Sequence, residues 1–225
     1  CLLTSTQSIM NDVNRIFNYI EHHKTGTHFL KACNTLLPSP IFARKELIRM
    51  IRNEAKQAIR GNVAKITAKM NSLSDQEIIE ELYDAAKAGV EINLIVRGIC
   101  CMVTESARFD RPIKAISIVD EYLEHARVWI FHNNGKEKIF ISSADWMTRN
   151  LDHRVEATCP VLDQEIRQEL KDIIDIQLRD NVKARWLNNQ MTNEYVQANG
   201  VKIRSQEETF HYLQQKTEQF EISSD

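Results

Sequence analysis

His125, Arg127, the pair Ser142-Ser143 and Asn150 bring an imidazole, a guanidinium, two hydroxyls and an amide into one short stretch of chain. A neutral imidazole can attack phosphorus or carry a proton near neutral pH, because its pKa lies there. Cations and hydroxyl or amide donors spread the charge that builds on phosphoryl oxygens during transfer. The set therefore suits a phosphate group, and Arg149 and Arg154 would extend its cationic lining. A plainer reading stands beside this one. Arg127, Arg149 and Arg154 could equally be partners of Asp145, Asp152 and Glu156, and serine hydroxyls near turns most often cap them. Residues 97–156 hold nine Lys/Arg and nine Asp/Glu, so composition does not decide between the two readings. No ligand spacing for a metal is present. His22-His23 are adjacent, and adjacent residues on a helix point about 100° apart.

The element that must position these groups is a hairpin. Two short apolar-rich runs, 127–131 and 138–142, flank Asn133-Asn134-Gly135, residue types that tolerate the positive φ of tight hairpin turns. Such a hairpin returns Ser142 and its followers to the neighbourhood of His125. His125-x-Arg127 with Ser142-Ser143 and Asn150 resembles one half of a phospholipase D-type site. Arg127 replaces the usual lysine, and Asp145 stands where an asparagine is expected.

Upstream, spacing predicts a helix over 5–22 (Ile9, Val13, Ile16, Phe17, Ile20), a strand over 28–37 and a helix over 41–60 closed by Gly61. A strand over 63–70 follows, then a helix over 75–88 capped by Ser74 with Glu77 in a capping box and closed by Gly89. Glu91–Arg97 reads as a buried strand, 98–112 as a loop, 113–119 as a strand and 120–124 as a helical turn. Alternating strands and helices predict an α/β fold with parallel pairing. After the hairpin come a strand over 154–161, a helix over 163–180, an irregular stretch over 181–204 and a helix over 206–219 burying Phe210, Leu213 and Phe220. Arg97 falls at the C-terminal end of a strand, where ligands of α/β sheets bind. His132, His153, the three tryptophans and Cys100-Cys101 read as structural.

The chain has 225 residues, 43% apolar and 27% charged, with a formal charge of −2, enough for a sizeable core. That charge gives no general attraction to nucleic acid or membranes, so any polyanion site must come from local placement of cations. Five cysteines without a C-x-x-C pair suggest neither a disulfide framework nor a zinc ribbon, and a reduced, cytoplasmic setting is expected. There is no signal-peptide pattern, and no apolar run reaches the ~20 residues of a membrane span.

The strings IVDEYLEHARVWIF, ISSADWMTRNLDHRVE and NLIVRGICC are long and specific, and they resemble the large, multidomain bacterial polyphosphate kinase family across essentially the whole chain. The resemblance implies a phospholipase D-like mixed sheet flanked by helices, with residues 1–30 as a helical tail of a preceding catalytic domain and 31–225 as the second, C-terminal one. It implies reversible transfer of the terminal phosphate of ATP to inorganic polyphosphate through a phosphohistidine, with Mg²⁺. His125 matches the family's second histidine, which contacts nucleotide or passes a proton, and Arg97 matches an arginine that binds ATP phosphates. The phosphorylated histidine would lie upstream of residue 1, so this stretch alone is expected to be inactive. ATP/ADP, polyphosphate, the upstream domains and a second copy of the chain are the implied partners, and nucleic acid is not. A cytoplasmic location is implied, with attachment to the inner face of the membrane left open. Two readings of other classes compete: a dimeric phospholipase D-like phosphodiesterase or nuclease, and a noncatalytic assembly module docking through helices 163–180 and 206–219.

Overall fold

In the computed structural model, residues 2–22, 25–197 and 200–224 are described, apart from the side chains of 220–224. Eight strands form one mixed sheet: β1 (Leu37–Ser39), β2 (Lys65–Met70), β3 (Glu91–Val96), β4 (Lys114–Ile118), β5 (Val128–Phe131), β6 (Lys138–Ser142), β7 (Glu156–Pro160) and β8 (Ala184–Trp186). Their spatial order is β1-β7-β6-β5-β2-β3-β4-β8. β2, β3 and β4 run parallel, β2 crossing to β3 through a helix and β3 to β4 through the long loop 97–113, and every other pairing is antiparallel. The expected α/β architecture, a mixed sheet with helices on it, is the one observed.

One face of the sheet carries α3 (Ala43–Ile59) and α4 (Gln76–Lys87). Alternation places Ile66, Ala68 and Met70 of β2 and Ile92, Leu94 and Val96 of β3 on that face, against Leu47, Ile51, Ile78 and Leu82. The other face is covered by α5 (Gln164–Leu178), whose Ile174 and Leu178 meet Val128, Ile139 and Val161. The hairpin turns as its sequence demands: Asn133, Asn134 and Gly135 take φ of 48°, 54° and 80°, and Val128 pairs with Ile141 across it. Trp129 and Trp146 are fully buried, edge to face at 5.8 Å, while Trp186 remains partly exposed.

Five expectations fail for identifiable reasons. Residues 28–37 are not a strand: α2 (Thr27–Lys31) begins there, and a loop leads to the three-residue β1. Asp12 of α1 (Gln7–Glu21) draws the backbone N–H groups of Asn34, Thr35 and Leu36 to one carboxylate oxygen, so the loop needs no sheet partner. The cap of α4 is Asp75, whose side chain accepts the N–H of Ile78, whereas the Ser74 N–H donates to the Trp146 carbonyl. Residues 120–124 form no helical turn, because their polar groups are bonded outward to other elements. β8 was unforeseen: its three residues lie in an Asn-rich stretch and close the sheet edge against β4. Finally, α6 (Ser205–Ser224) leaves Phe210 64% exposed and Leu213 39% exposed, and the side chain of Phe220 lies outside the described residues. Of the apolar residues spaced along α1, Ile9 and Ile16 are buried, while Val13, Phe17 and Ile20 face outward.

Candidate active site

The register fixes where the candidate residues lie. A row of paired residues, Cys159, Ile141, Val128, Lys69, Ile95 and Ile116, crosses β7, β6, β5, β2, β3 and β4. Arg97 lies beyond that row at the C-terminal end of β3, Ser142 at the C-terminal end of β6, and Arg127 at the N-terminal end of the antiparallel β5. His125 and Arg154 lie in the loops that enter β5 and β7 at this same end. Strand direction thus gathers residues far apart in sequence on one edge of the sheet.

Side chains then connect them. Arg97 donates through Nε (3.2 Å) and Nη2 (2.9 Å) to Oδ1 of Asn71, the residue following β2. The Asn71 N–H donates to Asp145 Oδ1 at 2.8 Å. Asp145 receives a two-point bond from Arg127, Nε to Oδ1 and Nη2 to Oδ2, both at 3.1 Å. Arg127 Nη1 donates to the His125 carbonyl at 3.0 Å. One run of hydrogen bonds therefore leads from Arg97 to the backbone of His125. Burial alone would raise the Asp145 carboxyl, but the Arg127 guanidinium and the Asn71 N–H outweigh it and hold the group below the usual carboxylate range. Asp145 stays ionised and keeps both neighbours in place. His125 itself is exposed.

The remaining candidates have other engagements. The Ser142 hydroxyl meets Thr158 Oγ1 at 2.7 Å and accepts the Ala144 N–H at 3.0 Å. The Ser143 hydroxyl donates to Glu156 and accepts the Ala157 N–H. Both serines brace β6 against β7. Asn150 is buried and donates to Glu156 Oε1 at 2.8 Å. Arg149 and Arg154 are exposed and, among the described residues, make no ion pair. Asp152 is taken by Arg44 at 2.8 Å, so its expected pairing with a site arginine does not form. His132 serves its own turn, accepting the Gly135 N–H at 3.4 Å, and His22 bonds the Asn18 carbonyl; His23 lies outside the described residues. Cys100 packs on the core and Cys101 is exposed.

Sequence reading missed Asn71. Register, which the sequence does not carry, supplies the relation: Met70 pairs with Val96, so the residue after β2 stands opposite the residue after β3, which is Arg97. Lys69, two residues earlier, was also missed; it is 3% exposed and paired with Glu124. Burial pulls its ammonium below the ordinary range, Glu124 restores part of it, and the charge of Arg97 lowers it again.

A cavity of about 670 Å³ runs along α3 and includes neither Arg97 nor His125. Its arginines are already matched by acids: Arg44 by Asp75, Glu77 and Asp152, Arg49 by Glu46, Arg52 by Glu81. Paired cations of that kind offer little to an anion. Among the described residues no three His, Cys, Asp or Glu side chains gather to hold a metal ion. Asp145 and Glu124 are each committed to a cation. Neither carboxylate is therefore free for magnesium, and these residues do not fit it.

A family model described as polyphosphate kinase C-terminal domain 2 matches residues 36–206. The chain belongs to the polyphosphate kinase family. It is 45% identical over 213 residues to the polyphosphate kinase of Vibrio parahaemolyticus and 42% identical to that of Escherichia coli K12, covering 94% of this chain and 30% of each relative. The crystal structure of the Porphyromonas gingivalis polyphosphate kinase superposes with a TM-score of 0.89 at 41% identity, covering 96% of this chain and 33% of that one. The chain therefore spans about a third of the length of these relatives and corresponds to the C-terminal domain of the family.

Proposed function

We propose that this domain handles phosphate in an ATP:polyphosphate phosphotransferase, which moves the terminal phosphate of ATP reversibly onto inorganic polyphosphate. The observation that carries this reading is the hydrogen-bonded run from Arg97 through Asn71, Asp145 and Arg127 to His125. It presents a guanidinium and an imidazole on one sheet edge, with a buried, ionised carboxylate fixing the spacing. Arg97 has N–H groups left over for phosphate oxygens, and the exposed His125 ring can reach the same anion.

In this reading the nucleophile is a histidine in the polypeptide upstream of residue 1. Its ring nitrogen forms a bond to the γ-phosphorus as the P–O bond to ADP breaks. That N–P bond then breaks as a terminal oxygen of polyphosphate attacks. His125 stands beside the transferring group, bonding phosphate or passing a proton, while Arg97 offsets its charge. A phosphoramidate is energy-rich, so both directions are open. Arg149 and Arg154, exposed near the same edge, line the approach of the polyanion. Residues 1–30 are the tail of the preceding domain in this scheme and 31–225 the second catalytic domain. Whole chains associate with one another, and the enzyme works in the cytoplasm.

The test joins this domain to its upstream polypeptide and measures ATP-dependent polyphosphate synthesis in Arg97→Ala and His125→Ala. Loss of at least about a hundredfold in each, with folding and assembly intact, is expected from removing a group aimed at transition-state charge. Unchanged synthesis in either variant would sink the assignment.

A further inference from the structure

The loop between β4 and β5, residues 119–127, carries His125, yet little of its own packing holds it. Val119, Tyr122 and Leu123 are 67%, 69% and 71% exposed. Its polar groups are instead bonded to the first turn of α6 and to the opposite face of the sheet. Asp120, with a side chain 2% exposed, takes a two-point bond from Arg204, Nε and Nη2 each at 2.8 Å, and a further contact from Lys183 at 3.4 Å. Gln206 grips Tyr122 from both sides: the Tyr122 N–H donates to Oε1 at 3.0 Å, and Nε2 donates to the Tyr122 carbonyl at 2.8 Å. The same Nε2 lies 3.0 Å from Glu124 Oε1. Glu124, the neighbour of His125, is held from beneath by the buried Lys69, and Gln177 of α5 donates to it at 3.3 Å.

The start of α6 is itself fixed. Asp180 accepts the Ser205 N–H at 2.7 Å through Oδ2, and through Oδ1 it accepts the N–H groups of Val182, Lys183 and Ala184 at 3.0, 2.7 and 2.9 Å. That carboxylate ties the helix to the entry of β8, which pairs with β4 immediately before the loop. Loop, helix start and sheet edge thus close into one ring of polar contacts beside the small apolar cluster of Ile116, Ile118 and Ala184.

We propose that Gln206, with the Glu124–Lys69 pair, positions His125 over the site, so that the first turn of the C-terminal helix sets where the imidazole stands. Gln206 is a positioning residue and touches no substrate. The inference rests on the reading of His125 as a phosphate-site histidine. Its geometry can nevertheless be tested apart from that reading.

The experiment uses this chain and inorganic tripolyphosphate as the probe. Amide hydrogen exchange at Tyr122 and the ring resonances of His125 are compared among wild type, Gln206→Ala and Gln206→Glu, with far-UV circular dichroism and melting to verify the fold. Gln206→Glu preserves size but loses both N–H donors and sets a carboxylate against Glu124. Exchange at Tyr122 should quicken at least tenfold in Gln206→Ala, which removes the acceptor of its N–H, and the His125 ring signals should shift or broaden in both variants. The tripolyphosphate response should weaken at His125 while the Asn71 side-chain amide, reporting the Arg97 half, responds as in wild type. His125 signals and Tyr122 exchange unchanged in both folded variants would overturn the proposal. A wild-type chain in which neither His125 nor Asn71 responds to tripolyphosphate would instead count against the phosphate-site reading, while exchange and ring shifts still judge the positioning.

Discussion

Asn71 shows how little a residue type reveals until its neighbours are known. Its amide oxygen takes two N–H groups of Arg97, and its backbone N–H goes to Asp145. Removing that oxygen frees Arg97 to sample other rotamers without removing its charge. Asn71→Ala in the complete enzyme should lower polyphosphate synthesis by about tenfold, less than Arg97→Ala, because orientation is lost and electrostatic attraction is kept. Equal losses in the two variants would mean that Asn71 does more than orient. Arg127 carries a different burden. Its partner Asp145 is only 10% exposed in its side chain, so Arg127→Ala strands a buried carboxylate and should cost about 3 kcal/mol of stability in urea unfolding.

At the scale of elements, two carboxylates hold parts of the fold together. Asp75 caps α4 and also binds Arg44 at 2.5 Å and the Thr148 hydroxyl at 2.8 Å, tying the start of α4 to α3 and to the segment after β6. Asp75→Ala should cost about 3 kcal/mol, more than a simple cap, because Arg44 loses its most buried partner. Ser74→Ala, at the position that sequence favours as the cap, should change stability by no more than about 0.5 kcal/mol. Asp120 belongs to the loop that bears His125. The bonds from Arg204 hold its carboxyl down to about 2 from an ordinary 3.8. A depressed carboxylate contributes stability that is complete above its unfolded value and is lost as pH falls through the folded one. Stability of the wild type should therefore decline between pH 4 and 2 more steeply than that of Asp120→Asn, measured by unfolding across that range. Parallel pH profiles would show that Arg204 does not hold Asp120 in solution.

At the scale of the molecule, the proposed chemistry takes its nucleophile from a histidine outside this chain, which spans about a third of its relatives' length. Given ATP and magnesium, this 225-residue chain should make no polyphosphate detectable by gel or by phosphate release after hydrolysis. Robust synthesis would refute the two-histidine scheme. Addition of the upstream polypeptide in the same chain should restore it.

Much of the fold was legible because it rests on short-range rules. Alternation marks β2 and β3, Gly61 and Gly89 sit at positive φ where helices end, and Asn133-Asn134-Gly135 fit a turn that few other residues tolerate. The hairpin was likewise readable, and the sheet it joins places His125 and Arg97, the residues proposed for phosphate, at one end. The errors fall where local sequence is overruled by contacts from afar: Asp12 replacing sheet partners for residues 34–36, Asp75 displacing Ser74, and Gln206 and Arg204 straightening the expected turn at 120–124. Sequence alone determined most of the strands and helices and put forward the side chains proposed to handle phosphate. Only the tertiary structure decided that Asn71 and Asp145 join the two arginines, that Ser142, Ser143 and Asn150 are spent on β7, and that α6 holds the His125 loop. Side-chain periodicity is written into consecutive residues, whereas a hydrogen bond between positions 97 and 71, or 206 and 122, exists only once strand order and register have brought them together.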